Sequence, residues 1–142
     1  MRYVLDTTAF SAAMGRDESL FEFLRRRAPG DIATVPPVVA EIEFGIERLD
    51  HSSRQYHLLI GERDRLLNVI HVLPWTPEAS SSFGRIKADL EKHGKLIDDF
   101  DIVIGAIALA HGCSVITSNL KHFQRIKGLR TASWKGEAIR RP

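Results

Sequence analysis

Acidic and amide side chains occur at separated points of the chain, next to segments that predict buried strands and helix starts. Asp6 directly follows the apolar run 3–5, and Asn119 comes shortly after the predicted strand at 115–117. Two more acids fall in the first turn of a predicted helix, and a glutamate pair lies on a helix entered directly after another strand. The candidates are Asp6, Glu41 or Glu43, Asp99, Asp101 and Asn119. Ligands of open parallel sheets bind beyond the carboxyl ends of the strands, so we expect these side chains to converge there.

Carboxylates that meet in one place imply a cation. Three or four such groups repel one another, and their pKa values rise unless a positive ion neutralises them. Hard oxygen ligands without Cys or His pairs favour Mg²⁺, with Mn²⁺ as a plausible substitute, over Zn²⁺. Such a centre polarises a phosphoryl oxygen and lowers the pKa of water, which is what phosphodiester hydrolysis requires.

Each candidate also has a purely structural explanation. Asp6 stands before Thr7 and Thr8, and all three residue types cap helices. The acids at the start of the later helix would complement its macrodipole. Glu41 and Glu43 lie about equally far from the apolar stripe of their helix, so periodicity alone does not choose between them. No single one of these residues indicates a catalytic site. The occurrence of several of them at predicted strand ends and helix starts favours one.

The elements that must position these groups alternate between strand and helix. Apolar runs without alternation predict strands covered on both faces, at 3–5, 32–35, 69–73, 115–117 and, at an edge, 129–131. Helical periodicity and stop signals predict helices after Thr7 to about 24, from Pro36, over 54–67, from Thr76 to Gly94, and over 102–111. This order predicts an α/β/α sandwich around a mainly parallel sheet of four or five strands.

Length and composition predict a single domain spanning 1–142. The chain is 44% hydrophobic and 27% charged, with a net charge of +2. Asp6 interrupts the N-terminus too early for a signal peptide, no apolar run could span a bilayer, and the lone Cys113 has no disulfide partner, so we expect a cytoplasmic protein without membrane contact. The last quarter is strongly cationic and includes Arg140 and Arg141, which permits a nucleic-acid partner.

Three motifs, in order along nearly the whole chain, resemble those of PIN-domain nucleases, and more narrowly those of VapC-type toxins. The first is Tyr3-Val4-Leu5-Asp6-Thr7-Thr8, an apolar strand ending in Asp and a hydroxyl residue. The second is Val38-Val39-Ala40-Glu41-Ile42-Glu43-Phe44-Gly45-Ile46, in which the family's glutamate corresponds to Glu41. The third runs from Ile97-Asp98-Asp99-Phe100-Asp101-Ile102 through Ile116-Thr117-Ser118-Asn119-Leu120 to Phe123 and places the family's core aspartate on Asp101.

The resemblance implies Mg²⁺-dependent endonucleolytic cleavage of RNA, with 5′-phosphate and 3′-hydroxyl products. Asp6, Glu41 and Asp101 would hold the metal and act in catalysis, with Asp99 as a further acid near it. Thr7 matches the hydroxyl position of the first motif, and Thr117 or Asn119 would help to place water or a ligand. Basic side chains that would grip the RNA backbone are Arg85, Lys87, Lys121 and Arg125.

The resemblance also implies partners. A cognate VapB-type antitoxin would neutralise the toxin of a type II toxin–antitoxin pair. The toxin would form a homodimer and a toxin–antitoxin hetero-oligomer, which would bind operator DNA only through the antitoxin.

The chain departs from the family pattern at two positions, and two other functions are also considered. Asn119 stands where many PIN domains have a fourth acid, which leaves an inactive RNA-binding or scaffold protein as an alternative. Gly105 stands where alanine is usual, a small-for-small exchange of little functional meaning. A phosphatase or dehalogenase with Asp6 as nucleophile is the second enzymatic alternative, although that chemistry commonly uses a second aspartate at the position of Thr8.

Overall fold

The computed structural model describes residues 2–135, and a parallel sheet lies at its centre. All of its strand pairs are parallel, and the strand order is β3-β2-β1-β4-β5. The strands are β1 (Tyr3–Leu5), β2 (Ile32–Thr34), β3 (His71–Val72), β4 (Ser114–Ile116) and β5 (Thr131–Ala132). The predicted α/β fold with five strands is confirmed. Arg140 and Arg141 lie outside the described residues.

Seven α-helices connect and cover the strands within the described residues. They are α1 (Thr7–Met14), α2 (Glu18–Arg25), α3 (Pro36–Glu47), α4 (Arg54–Leu67), α5 (Pro77–Lys92), α6 (Asp99–Ala110) and α7 (Leu120–Phe123). None of the helices described is long and apolar enough to cross a membrane.

Short polar side chains and prolines fix where the helices begin. Asp6, rather than Thr7 or Thr8, is the N-cap of α1, and its side chain accepts a hydrogen bond from the backbone N–H of Ala9. Asp98, not Asp99, caps α6 through the N–H of Phe100. The two helices α3 and α5 begin with proline, whose missing N–H costs nothing in the first turn.

The segment after Asp6 differs from the sequence prediction because it forms two helices instead of one. Helix α1 ends at Gly15, and Arg16 adopts a left-handed backbone conformation with φ of 56°. Asp17 then caps α2 by accepting from the N–H of Leu20. The chain therefore turns between the helices, and the buried residues of α2, Leu20 and Phe23, join the core.

The edge strands are shorter or shifted relative to the prediction. The third strand covers only two of the five residues from 69 to 73, and the fifth lies at 131–132 instead of 129–131. An apolar run in the sequence shows which residues are buried, but a strand extends only as far as its backbone has hydrogen-bond partners. An edge strand has such partners on one side only.

Helix α6 is the central helix of one face. Every residue from 102 to 108 in it is buried, which explains why this segment reads as a continuous apolar run. A methyl group added at Gly105 would lie 2.5 Å from Cδ1 of Ile126 and 3.3 Å from Cδ2 of Leu129. The glycine thus has a packing role that the sequence comparison alone did not indicate.

Candidate active site

The register of β1 and β4 brings Asp6 to the centre of the carboxyl edge of the sheet. Leu5 pairs with Ile116, so the residues that follow each of them, Asp6 and Thr117, become neighbours. The hydroxyl of Thr117 donates to Oδ2 of Asp6 at 2.5 Å. Asp6 is only 2% exposed, so this bond replaces water that the carboxylate has lost.

A second hydroxyl completes the surroundings of the Asp6 carboxylate. Thr8 donates to Oδ1 of Asp6 at 2.6 Å, and the same oxygen accepts from the N–H of Ala9. Thr8 also accepts from the backbone N–H of Ser118 at 3.0 Å. Asp6 is therefore both a helix cap and a fixed polar group at the edge of the sheet, so the structural and functional explanations hold together.

Helix α3 presents Glu41 to this edge and directs Glu43 elsewhere. The hydroxyl of Thr7 donates to Oε1 of Glu41 at 2.5 Å. Glu43 instead accepts from Nη1 of Arg63 on α4 at 2.9 Å. The structure thereby distinguishes the two glutamates that helical periodicity could not separate, and it places Glu41 on the side of Asp6.

Asp101 reaches the same edge from the first turn of α6. Its Oδ2 lies 3.1 Å from Nδ1 of His122, and Nδ1 in turn lies 2.8 Å from Nδ2 of Asn119. Nδ1 of His122, on α7, therefore lies between the side chains of Asn119 and Asp101. The backbone N–H of Asn119 donates to the Thr117 hydroxyl at 2.8 Å, which connects this group to Asp6.

Burial and mutual repulsion raise the pKa of two of these acids. For Asp6, desolvation is the main cause, the hydrogen bonds from Thr117, Thr8 and Ala9 oppose it, and the charge of Asp101 adds to it. For Asp101, desolvation again raises the pKa most, His122 lowers it, and the charges of Asp98 and Glu41 raise it further. The charge of Asp101 thus contributes to the raised pKa of Asp6, and the charge of Glu41 contributes to that of Asp101.

Asp99 is placed differently from the other predicted acids. Its carboxylate lies 3.0 Å from Nζ of Lys87 on α5, and its side chain is more than half exposed. A role of Asp99 near a metal stays a prediction, since an ion would compete with Lys87 for it.

The predicted basic side chains lie on α5 and α7 and just after α7. Lys87 is paired with Asp99. Arg85 donates to the hydroxyl of Ser82 in its own helix. Arg125 donates to the carbonyl oxygens of Lys95 and Leu96. Lys121 is exposed on α7. Contact of these residues with RNA stays a prediction.

The donor chemistry of the site fits Mg²⁺. Asp6, Glu41 and Asp101 offer carboxylate oxygens, and burial of the first makes a neutralising cation favourable. Among residues 2–135 no three Asp, Glu, His or Cys side chains are already grouped closely enough to hold one ion. Carboxylate oxygens suit Mg²⁺ better than Zn²⁺, and the binding of an ion by these acids stays a prediction.

Two residues of the site were missed or given a minor role by the sequence analysis. Thr8 was considered as a helix cap and as part of the first motif, yet it bonds both Asp6 and the backbone after β4. His122 contacts Asp101, 21 residues earlier. The only available signal for His122 was its position three residues after Asn119 on a short helix that follows a strand.

Comparison with known proteins agrees with the geometry. The family model described as "PIN domain" matches residues 3–129, and the chain belongs to this family. Within it, the chain is 32% identical over 136 residues to "Ribonuclease VapC2" of Haemophilus influenzae, which covers 94% of this chain and 98% of that protein. It is also 31% identical over 94 residues to "tRNA(fMet)-specific endonuclease VapC" of Shigella flexneri, or 66% of this chain and 68% of that protein.

Solved structures with the same fold include VapBC complexes. The structure of VapBC2 from Rickettsia felis, bound to a DNA fragment from its promoter, aligns with a TM-score of 0.85 at 25% identity and covers 94% of this chain and 99% of that one. VapBC-1 from nontypeable Haemophilus influenzae aligns with a TM-score of 0.82 at 28% identity, covering 95% and 99%. The predicted membership of the VapC-type group of PIN domains is therefore confirmed.

Proposed function

We propose that this protein is an Mg²⁺-dependent endoribonuclease and the toxic component of a type II toxin–antitoxin pair. The observation that carries the proposal is that Asp6, Glu41 and Asp101 come from β1, α3 and α6 to one edge of the sheet. They do so in a PIN-domain chain whose full-length relatives are named ribonucleases. The RNA substrate is hydrolysed with water as the nucleophile, which leaves 5′-phosphate and 3′-hydroxyl ends.

In this proposal Asp6, Glu41 and Asp101 hold Mg²⁺, and Mn²⁺ can replace it. When bound, the ion supplies positive charge for the phosphate and lowers the pKa of water. The chain's own groups fix the carboxylates. Thr117 and Thr8 hold Asp6 by donating hydrogen bonds to its two oxygens, and Thr7 holds Glu41.

His122 acts as a positioning residue in the proposed reaction. Its Nδ1 lies 3.1 Å from Oδ2 of Asp101, and in the tautomer that carries a proton at Nδ1 the ring donates to this carboxylate and orients it. Partners that orient a metal ligand typically contribute about 10- to 100-fold to metal affinity or activity. We therefore assign Asn119, which replaces a fourth acid, to the polar surroundings of Asp101 rather than to direct metal binding.

The remaining parts of the proposal concern partners and location. A VapB-type antitoxin binds and neutralises the protein, as the VapBC structures of relatives suggest. The protein forms a homodimer and a toxin–antitoxin hetero-oligomer, which contacts operator DNA through the antitoxin, and it acts in the cytoplasm on cellular RNA.

RNA cleavage by matched glutamate variants tests this function. We expect Glu41→Gln and Asp101→Asn to reduce the cleavage rate by more than the roughly 100-fold typical for loss of an orienting partner. Glu43→Gln, on the same helix but facing Arg63, should cleave like the wild type. Growth arrest on expression should follow the same order.

Two outcomes would reject the proposed chemistry. Wild-type protein that binds RNA but cleaves none of it with Mg²⁺ or Mn²⁺ would favour the scaffold alternative. A phosphoaspartate trapped at Asp6 would favour the phosphatase.

A further inference from the structure

A cleft with a cationic rim lies beside α5 and the segment that follows α7. It is separate from Asp6, Glu41 and Asp101, which we call the acid cluster. It has a volume of about 210 Å³ and is lined by Arg85, Ile86, Asp89, Leu109, Arg125 and Lys127. Three of the four charged residues in it are positive. Only two of these cations, Arg85 and Arg125, were candidates on sequence grounds.

The cleft has a net charge of +2, from three cations and one acid. Within residues 2–135, Arg85, Arg125 and Lys127 form no ion pair. The single acid, Asp89, lies 3.3 Å from Nδ1 of His93 in the next turn of its helix. Lys87, on the same helix, is by contrast neutralised by Asp99.

One cation of the cleft is held in place. The guanidinium of Arg125 donates to the carbonyl oxygens of Lys95 and Leu96, each at 3.2 Å. These bonds join the segment after α7 to the loop between α5 and α6. A fixed cation loses less entropy on binding an anion than a freely rotating one does.

The cleft adjoins the acid cluster along the chain. The backbone N–H of Arg125 donates to the carbonyl oxygen of His122, so Arg125 lies one turn beyond the residue that contacts Asp101. The acids themselves repel a phosphate chain, and a polyanionic substrate therefore needs compensating cations nearby.

We propose that this cleft binds the phosphodiester backbone of the RNA strand on one side of the cleaved bond. The inference rests on the proposed ribonuclease function and adds a substrate-binding site away from the reacting phosphate. Three exposed cations with two apolar side chains between them suit a sugar–phosphate chain, whose contacts fix register without reading sequence. A protein partner with an acidic segment is the competing occupant.

The test measures binding of fluorescein-labelled oligouridine to Asp101→Asn protein, in which cleavage is suppressed, by anisotropy across a salt series. The cleft variant is Arg85→Gln/Lys127→Gln, which leaves Arg125 and its loop contacts intact. The control, Arg48→Gln/Arg54→Gln, removes the same charge at exposed residues that end α3 and begin α4, neither of which lines the cleft. Circular dichroism and thermal unfolding verify that both variants fold.

We expect the cleft variant to bind more weakly and to lose about 1.4 from the slope of log K against log salt, since each phosphate contact contributes about 0.7 for a single strand. The control should keep the wild-type slope. In the active background the cleft variant should show a raised KM for RNA with an unchanged kcat.

The inference would be overturned if the cleft and control variants had equal slopes of log K against log salt. It would also be overturned if the cleft variant kept its affinity for RNA but lost affinity for an acidic antitoxin segment. Its failure is distinct from that of the proposed function. Wild type that cleaves RNA while the two variants bind alike would reject the cleft alone. Wild type that binds through the cleft and never cleaves would reject the ribonuclease alone.

Discussion

At the scale of single residues, burial of acids at the site lowers the stability of the metal-free protein. Asp6 is buried beside β4, and hydrogen bonds from Thr117 and Thr8 offset only part of its desolvation, so its pKa remains above the ordinary value of 3.8. Groups with raised pKa values of this kind cluster at functional sites. The negative charge that destabilises the metal-free protein would also attract a cation.

The metal-free Asp6→Asn protein should therefore gain stability relative to the wild type as the pH rises from acid to neutral. An acid with a raised folded-state pKa contributes stability below its unfolded pKa of 3.8 and loses that contribution as the pH rises through the folded value. The variant removes this loss, which is about 1.4 kcal/mol for each unit by which the pKa is raised. Thermal or denaturant unfolding in EDTA across the acid range measures the difference, which should shrink towards low pH.

Asp101→Asn provides the graded comparison for this experiment. The Asp101 side chain is 21% exposed and faces His122, whereas Asp6 is only 2% exposed. The gain in stability from Asp101→Asn should therefore be smaller than that from Asp6→Asn. A wild type more stable than Asp6→Asn at neutral pH, with a gap that does not change with pH, would contradict the assignment of desolvation as the main cause.

At the scale of elements, the packing of α6 against the segment after α7 determines where His122 and Arg125 lie. A methyl group added at Gly105 would overlap Ile126, which is 2% exposed. A side chain confined in this way cannot move aside freely. Glycine is therefore required here by the approach of a neighbouring segment, not by its own backbone conformation.

Replacing two helical glycines with alanine separates packing from helix propensity. Gly84→Ala, on α5 with nothing within 4 Å of the new methyl, should raise the free energy of unfolding by about 0.5–1 kcal/mol. Gly105→Ala gains the same propensity but overlaps Ile126, and overpacking costs about 1–3 kcal/mol. We expect a net loss in denaturant unfolding. Equal stabilisation by both substitutions would show that the segment after α7 shifts without cost.

At the scale of the whole molecule, the parallel sheet gathers groups that are far apart in sequence. Residues after β1 and β4 meet because these strands are paired in the middle of the sheet. Helices α3 and α6 add Glu41 and Asp101 to the same edge. A ligand that bridges these elements should therefore stabilise the entire fold, since it binds the folded state alone.

Divalent ions should raise the unfolding temperature of the wild type. At an Mg²⁺ concentration of 100 times Kd the gain is about 2.7 kcal/mol, or roughly 5–10 °C for a chain of this size. Glu41→Gln and Asp101→Asn should reduce the shift, and Glu43→Gln should retain it. Differential scanning fluorimetry with Mg²⁺, Mn²⁺ and Ca²⁺ measures this, and a shift that persists in both site variants would place the ion elsewhere.

The sequence by itself determined the alternation of strands and helices, the buried nature of α6 and the short polar residues at the strand ends. These follow from local chemistry, because apolar periodicity, prolines and capping side chains act within a few residues of where they stand. The three motifs also identified the family. Edge strands were predicted less well, because their extent depends on backbone partners elsewhere in the chain.

Only the tertiary structure decided which side chains meet. Glu41 and Glu43 are equivalent on a helical projection, and the approach of Arg63 on α4 to Glu43 distinguishes them geometrically. Likewise, the contact of His122 with Asp101 depends on how α7 packs against α6. Such contacts join segments distant in sequence, and their geometry is set by strand register and helix packing, which no local pattern of residues encodes.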